Sequence, residues 1–289
     1  MLQAAHSMPA VIDLGSVRVH VLRGASFALD GGAMFGVVPR AVWEKTDPAD
    51  ARNRVRLAAN VALIETGGQR VLVDTGMGTR WTAKEAERYQ LEGSHDLLSA
   101  LSALGLQADD IDVVVNTHLH FDHSGGNTHL VDGRLVPAFP RARYVVQLGE
   151  WEDATHPHER NHASYRLDDY VPLAEARLLD TVQGPVEVAP GVRVVPVGGH
   201  TAYHQMVVVE GASGTLAIPT DLLPTASHLP LPFIMSYDLF PLGTLEAKRR
   251  LLAQAADEHW ALLFYHDPRV AVARVERQGD KYMLGERLS

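Results

Sequence analysis

Short runs of apolar and β-branched residues, bounded by glycine and polar residues, recur along most of this chain. Such runs are typical of β-strands. They predict strands at residues 17–22, 61–66, 70–74, 111–115, 144–147, 192–197, 205–210, 215–218 and 261–265. Gly67, Gly68 and Gln69 predict a hairpin turn between the second and third strands. The run at 111–115 is apolar except for Asp112, which predicts a strand buried on both faces over most of its length.

Two other stretches show helical spacing. Leucines at positions 97, 98, 101 and 104 predict a helix over residues 95–104, and apolar residues at 245, 251, 252, 255 and 256 predict another over 245–259. Residues 149–170 are polar and rich in histidine, so we expect a helical or irregular excursion over the surface. Strands and helices alternate in both halves and no linker divides them. We therefore predict an α/β fold in one domain that spans residues 1–289.

Composition narrows the function classes. The chain has 289 residues, and acidic residues outnumber basic ones by 35 to 26, with no basic run, so we expect no nucleic-acid partner. Cysteine is absent, which excludes disulfide scaffolds and any thiolate nucleophile or ligand. The longest uncharged stretches, 194–209 and 222–237, contain prolines and are shorter than the ~20 residues of a membrane helix. The first fifteen residues show no secretory signal, and we expect a cytoplasmic protein without a membrane partner.

A dense group of metal-binding residue types follows the strand predicted at 111–115. His118, His120, Asp122 and His123 lie within six residues, and Ser124, Gly125 and Gly126 follow them. Two-residue spacing in an extended segment places His118 and His120 on the same side. Asp122 and His123 then begin a turn or helix and point elsewhere, which suits two adjacent metal ions better than one.

Three further candidate ligands occur later in the chain. His200, Asp221 and His266 each follow a predicted strand. Side chains just past the carboxyl ends of strands converge on one edge of a sheet, where ligand sites form in α/β architectures. Imidazole and carboxylate are ligands that zinc accepts readily, and manganese, iron or cobalt also suit them.

The order of these residues resembles the metallo-β-lactamase superfamily over roughly residues 17 to 270. The resemblance implies an αββα four-layer sandwich, two divalent metal ions and a hydroxide that bridges them. It implies that the first ion is bound by His118, His120 and His200, the second by Asp122, His123 and His266, and both by Asp221. Asp74 matches the family's structural aspartate beside the site. Hydrolysis then needs no protein nucleophile, because a metal ion lowers the pKa of its bound water.

Other candidates surround this set. Asp122 or Asp221 is expected to carry a proton to the leaving oxygen. His228 is a third catalytic candidate, in a proline-rich loop whose Phe233, Ile234, Met235 and Tyr237 are expected to form pocket walls. His204, four residues after His200, is expected to support the ligands. We interpret His156, His158 and His162 as solvated loop residues, since His-Pro-His cannot form a helical face.

Within the resemblance, the residues favour some activities over others. True β-lactamases that need cysteine are excluded because the chain has none, and the other kinds of β-lactamase lack a bridging aspartate such as Asp221. Flavodiiron enzymes have glutamate where this chain has His120, so oxygen reduction is disfavoured. Apolar loops near the site favour hydrolysis of a lactone of the acyl homoserine type, with a small-molecule substrate that has an apolar part. Many lactonases carry tyrosine three residues after the bridging aspartate, where this chain has Pro224. Thr225, Ser227, His228 or Tyr237 must then replace it, or the metals polarise the carbonyl alone.

Several alternatives stay open at this point. The same ligand set suits phosphotriesterases and glyoxalase-II-like thioesterases. From other classes, a mononuclear iron dioxygenase acting on persulfides uses a subset such as His118, His200 and Asp221, and a metal-binding module without catalysis needs only the ligands. A homodimer is an open option.

Overall fold

The computed structural model describes residues 10–92 and 96–289. The strands in these ranges are β1 (Ala10–Asp13), β2 (Val17–Asp30), β3 (Arg54–Thr66), β4 (Gln69–Val73), β5 (Val113–Val115), β6 (Thr128–Val131), β7 (Arg134–Pro137), β8 (Arg143–Gln147), β9 (Leu179–Val182), β10 (Val186–Ala189), β11 (Val192–Pro196), β12 (Gln205–Gly211), β13 (Gly214–Ile218), β14 (Ala261–Leu263), β15 (Val272–Gln278) and β16 (Lys281–Arg287). The helices are α1 (Gly31–Phe35), α2 (Arg40–Trp43), α3 (Ala83–Tyr89), α4 (Leu97–Ser102), α5 (Phe121–Ser124), α6 (Leu148–Thr155), α7 (Val171–Glu175) and α8 (Pro241–Asp257).

Two seven-stranded sheets form the centre of the fold. The first has the order β1-β2-β3-β4-β5-β8-β9, and the second has the order β10-β11-β12-β13-β14-β15-β16. In the first sheet β4, β5, β8 and β9 are parallel neighbours, and in the second β13 and β14 are parallel. Consecutive valines make up β5 and are all buried, as expected for a strand covered on both faces.

The alternation of side chains along β12 shows how the layers stack. Val207 and Val209 belong to the large core shared with the first sheet, whereas Val208 packs with Leu251 and Leu252 of α8. Successive residues of a strand point to opposite faces, so one face of the second sheet meets the first sheet and the other is covered by α8. Helices α4 and α6 contact β2 and β8 of the first sheet. The α/β fold with αββα layers is confirmed.

The predicted strands lie within or close to observed strands, several of which are longer. The strand predicted at 17–22 continues to Asp30, and the one predicted at 61–66 begins at Arg54. The predicted helix over 95–104 is observed as α4, and its predicted start, His95, lies outside the described residues. Within the described ranges, no helix combines the length and the apolar character that a membrane span needs.

Two glycines allow the motif segment to pack closely against the loop after β4. A Cβ atom on Gly125 would lie 2.4 Å from the carbonyl oxygen of Met77, and one on Gly126 would lie 2.4 Å from that of Thr75. Any larger residue would therefore push α5 away from this loop. The close approach holds α5, and with it Asp122 and His123, at the edge of the first sheet.

Candidate metal centre

Seven buried side chains meet where strands of both sheets end. His118 and His120 follow β5, and α5 carries the next two members of the set. In the second sheet the residues that follow β11, β13 and β14 complete it. We call this set the ligand cluster: His118, His120, Asp122, His123, His200, Asp221 and His266, all 7% exposed or less. The structure thus brings together every residue that the sequence predicts as a metal ligand.

The cluster has two halves, each with donor atoms close enough to hold one ion. In the first half, ligand atoms of His118, His120 and His200 lie within 4.8 Å of one another, and Nδ1 of His120 is 3.1 Å from Nε2 of His200. In the second half, Nε2 of His123 lies 3.2 Å from Nε2 of His266. Oδ2 of Asp122 lies 3.6 Å from the latter nitrogen.

Asp221 lies between the two halves. Its Oδ1 is 3.0 Å from Nε2 of His123 and 3.1 Å from Nε2 of His266. Its Oδ2 is 3.2 Å from Nε2 of His200. One carboxylate therefore presents a separate oxygen to each half.

The ring nitrogens that point away from the cluster are held by acceptors. Nδ1 of His123 donates to Asp74, Nδ1 of His200 to Asp238, and Nδ1 of His266 to the carbonyl oxygen of Ala58, each at 2.8 Å. A neutral imidazole that donates from Nδ1 carries its lone pair on Nε2. In their neutral form these three side chains direct Nε2 lone pairs into the cluster, as metal ligands do.

His118 gives the clearest test of whether a metal ion fits. The Thr117 hydroxyl donates to Asp74 at 2.8 Å, so its oxygen accepts from Nδ1 of His118 at 3.2 Å. Nε2 of His118 is then a buried lone pair without a hydrogen-bond partner in the part of the chain that the structure describes. Burial lowers the pKa of His118 well below its usual value, which disfavours a proton there. A metal cation satisfies this nitrogen, so the residues fit such an ion.

The second half also favours positive charge. Burial alone would lower the pKa of His123, but the carboxylates of Asp221, Asp122 and Asp74 outweigh it and raise that pKa well above its usual value. Burial likewise opposes the negative charge of Asp221, whereas His123, His266 and His200 hold its pKa well below the usual range. A cation between these groups supplies the charge that the carboxylates require.

Three residues outside the cluster hold its ligands. Asp74 accepts from the backbone N–H and the hydroxyl of Thr117 as well as from His123, so it fixes two parts of the motif segment. His204 is buried and contacts the hydroxyl of Thr220, next to Asp221, at 2.7 Å. Asp238, which sequence reasoning missed, accepts from His200. It lies 38 residues away in an irregular segment, and no local pattern distinguishes it.

A cavity of about 160 Å³ opens directly onto the ligand cluster. His120, Asp122, His200, Asp221 and His266 form its floor. We call the remaining lining residues the wall: Leu29, Met34, Tyr89, Phe121, Ala163, Ser164, Met235 and Tyr237. The loop predicted to line a pocket thus contributes Met235 and Tyr237, whereas Phe233 and Ile234 are not among the lining residues.

His228, which the sequence predicts as a catalytic candidate, is not among the residues that line this cavity. Its Nδ1 is 2.7 Å from the Thr225 hydroxyl, and its Nε2 is 2.9 Å from the carbonyl oxygen of Met34, to which it donates. Its ring stacks on Phe35 with 4.8 Å between centroids. Both nitrogens are thus occupied, and the side chain supports the wall from behind. His156, His158 and His162 are exposed, in agreement with their interpretation as loop residues.

The fold and the site together define the class of protein: the chain is a metal-dependent hydrolase. It belongs to the metallo-beta-lactamase superfamily, because the model of that family matches residues 54–266.

Similar proteins agree with this assignment. The N-acyl homoserine lactonase AiiA of Bacillus thuringiensis subsp. kurstaki is 28% identical over 218 residues, which cover 71% of this chain and 79% of the lactonase. A probable metal-dependent hydrolase from Staphylococcus aureus has a TM-score of 0.87 and 28% identity, covering 96% of this chain and 100% of that structure. AidC, a dizinc quorum-quenching lactonase solved with a product, has a TM-score of 0.80 and 20% identity, covering 97% and 98%.

Proposed function

We propose that this hydrolase binds two divalent metal ions, preferably zinc, and opens the ring of lactones of the acyl homoserine type. The observation that carries the proposal is the position of Asp221, whose two oxygens face different halves of the ligand cluster. A site for one ion has no use for that arrangement, whereas a shared carboxylate is how two ions are held side by side. The lactonase relatives, one of them a dizinc enzyme, support both parts of the proposal.

Each half of the cluster has a role. His118, His120 and His200 would hold the first ion, Asp122, His123 and His266 the second, and Asp221 both. When bound, the ions lower the pKa of a coordinated water to near neutrality and polarise the substrate's carbonyl oxygen. The cluster residues keep these groups in place and exclude bulk water from them, since all are buried.

The reaction also requires a proton transfer. Water adds its oxygen to the lactone carbonyl carbon, the ring C–O bond breaks, and the leaving alkoxide oxygen must receive a proton. Asp122 and Asp221 both line the cavity floor. Either carboxylate would take the proton released by water and pass it to the alkoxide.

Tyr237 is the best placed hydrogen-bond donor to the substrate carbonyl. Of the four residues considered as replacements for the missing tyrosine at position 224, it alone lines the cavity. Thr225 instead bonds to His228. Partial burial raises the pKa of the Tyr237 phenol, and the negative charges of Asp30 and Asp122 raise it further, so the hydroxyl keeps its proton and can donate a hydrogen bond.

The wall supports a substrate with an apolar part. Leu29, Met34, Phe121 and Met235 present apolar side chains around the floor. Methionine adapts its shape to different ligands, and apolar lining is what an acyl chain requires.

Metal analysis followed by a substrate panel tests the proposal. We expect two zinc-type ions per chain and faster hydrolysis of N-hexanoyl homoserine lactone than of a phosphotriester or a glutathione thioester. His162→Ala, which changes an exposed histidine, should match the wild type in both assays. A single iron per chain would support a persulfide dioxygenase, and faster triester turnover would support a phosphotriesterase. Two bound ions without any turnover would indicate a binding module.

We also propose that residues 1–289 form one hydrolase domain that acts in the cytoplasm on a small molecule. The scattered arginines and the net charge of −9 support a substrate other than nucleic acid.

A further inference from the structure

Glu150 is a carboxylate buried without any exposed surface, and it lies outside the ligand cluster. It occupies the first turn of α6. A buried carboxylate is costly unless several donors satisfy it, so its hydrogen bonds show what it stabilises.

Its two oxygens bind three donors. Oε1 accepts the backbone N–H of Leu119 and the hydroxyl of Tyr165, each at 3.0 Å. Oε2 accepts the hydroxyl of Thr201 at 2.6 Å. In the part of the chain that the structure describes, the hydrogen bonds of this carboxylate go to these three residues alone.

All three donors adjoin ligands of the first half of the cluster. Leu119 lies between His118 and His120, and Thr201 follows His200. Tyr165 forms a β-bridge with His120, and its ring meets that imidazole edge to face at 4.9 Å. The Glu150 side chain thus connects the segment that carries His120 to the segment that carries His200. These two ligands face each other although they lie 80 residues apart in the chain.

The second half is held by different groups. His123 donates to Asp74, and His266 donates to the carbonyl oxygen of Ala58. Asp74 also reaches His118 through Thr117 and so serves both halves, whereas the donors to Glu150 adjoin ligands of the first half alone.

We propose that Glu150 is a positioning residue for the first metal ion alone: it fixes the relative placement of His118, His120 and His200 and so sets the affinity of that half. This inference rests on the proposed two-ion function. Glu150 does not line the cavity and would touch neither ion nor substrate.

Zinc affinity, measured by competition with a chelator on the purified holoenzyme, tests the inference half by half. Glu150→Gln replaces the carboxylate with a neutral amide, so its charge-assisted hydrogen bonds become weaker neutral ones, and the Thr201 hydroxyl must turn from donor to acceptor. With His266→Ala as background, the remaining ion is held by the first half, and we expect Glu150→Gln to weaken its binding about 10- to 100-fold. With His200→Ala as background, the remaining ion is held by the second half, and its affinity should stay unchanged.

Other variants complete the design. Glu152→Gln changes an exposed carboxylate on the same helix and should have no effect in either background. Thr201→Val removes one of the three bonds and should weaken only the first ion, by less than Glu150→Gln, and it serves as the test if the latter fails to fold. Equal weakening in both backgrounds, or none in either, would overturn the inference. Two bound ions with no lactone turnover would instead contradict the proposed function and leave this result standing.

Discussion

The ligand cluster and the wall share one cavity but are held in different ways. The cluster is assembled at the ends of strands, and donors or acceptors outside it fix its ligands, as Asp74 fixes His123 and Asp238 fixes His200. The wall comes largely from loops and short helices and reaches the surface, where Tyr237 is 37% exposed. Under the proposed function, the cluster would supply the chemistry, whereas the wall would set the choice of substrate and could vary without disturbing the metal ligands.

Removing the shared carboxylate should have the largest effect. Asp221→Ala takes a ligand from both halves, and we expect kcat/KM for a lactone to fall by more than about 100-fold, beyond what losing an outer support costs. Zinc content should fall below two per chain in elemental analysis. Asp280→Ala, an exposed aspartate, is the matched control. If Asp221→Ala retained two ions per chain and full turnover, Asp221 would be needed neither to bind the ions nor for hydrolysis.

Removing the phenol of Tyr237 should have the next largest effect. Tyr237→Phe deletes the proposed donor to the carbonyl, so we expect kcat to fall about 100-fold while zinc content stays at the wild-type level. Steady-state kinetics and elemental analysis measure the two quantities. Tyr282→Phe, on β16 and outside the cavity, should behave as the wild type. An unchanged kcat would indicate that the metal ions polarise the substrate carbonyl without help from Tyr237.

Shortening the wall residue Met235 should have a smaller effect on turnover, and its size should depend on the acyl chain of the substrate. Met235→Ala enlarges the cavity on its apolar side, so we expect kcat/KM to fall about 10-fold for long acyl lactones and less for short ones. Comparing a series of acyl lengths measures this dependence. Met283→Ala, at an exposed position on β16, is the control. An equal loss for every length would show that Met235 does not contact the acyl chain.

The last effect concerns stability in acid and not turnover at neutral pH, and it arises from His228, which supports the wall from behind. Burial lowers the pKa of His228 from its usual 6.5 to about 3, so the unfolded chain binds a proton that the folded protein does not. Stability should therefore fall as the pH decreases from about 6.5 toward 3, with His228 contributing up to about 1.4 kcal/mol per pH unit. Urea unfolding at several pH values should show a flatter dependence in His228→Asn. The control His162→Asn should keep the pH dependence of the wild type. If His228→Asn also kept it, His228 would not be the source of the loss of stability in acid.

The ligand cluster could be predicted from the sequence because each member follows a strand. A run such as Val113–Val115 must be buried, and the polar residues that come next must lie at the sheet edge. Two of the supports could not be predicted in this way. Glu150 and Asp238 meet their partners through packing of distant segments, and neither lies in a local pattern.

The first part of β3 shows a different reason for a missed strand. Arg54, Arg56 and the small residues that follow interrupt the apolar pattern. Backbone bonds from Ala58 to His266 at 3.1 Å and from Asn60 to Tyr265 at 2.8 Å hold this segment against the second sheet. It is extended because tertiary pairing overrides weak local preference. The contacts of His228 with Thr225 and Met34 could not be predicted, because its place in a loop near Asp221 does not reveal which way the side chain turns.

Anomalous diffraction at the zinc edge, from crystals of the protein grown with zinc, would locate each bound ion relative to Asp221. We expect two peaks about 3.5–4 Å apart, one on each side of the Asp221 carboxylate. A single peak, or imidazoles that turn away from one another around an empty cavity, would contradict the proposed two-ion site.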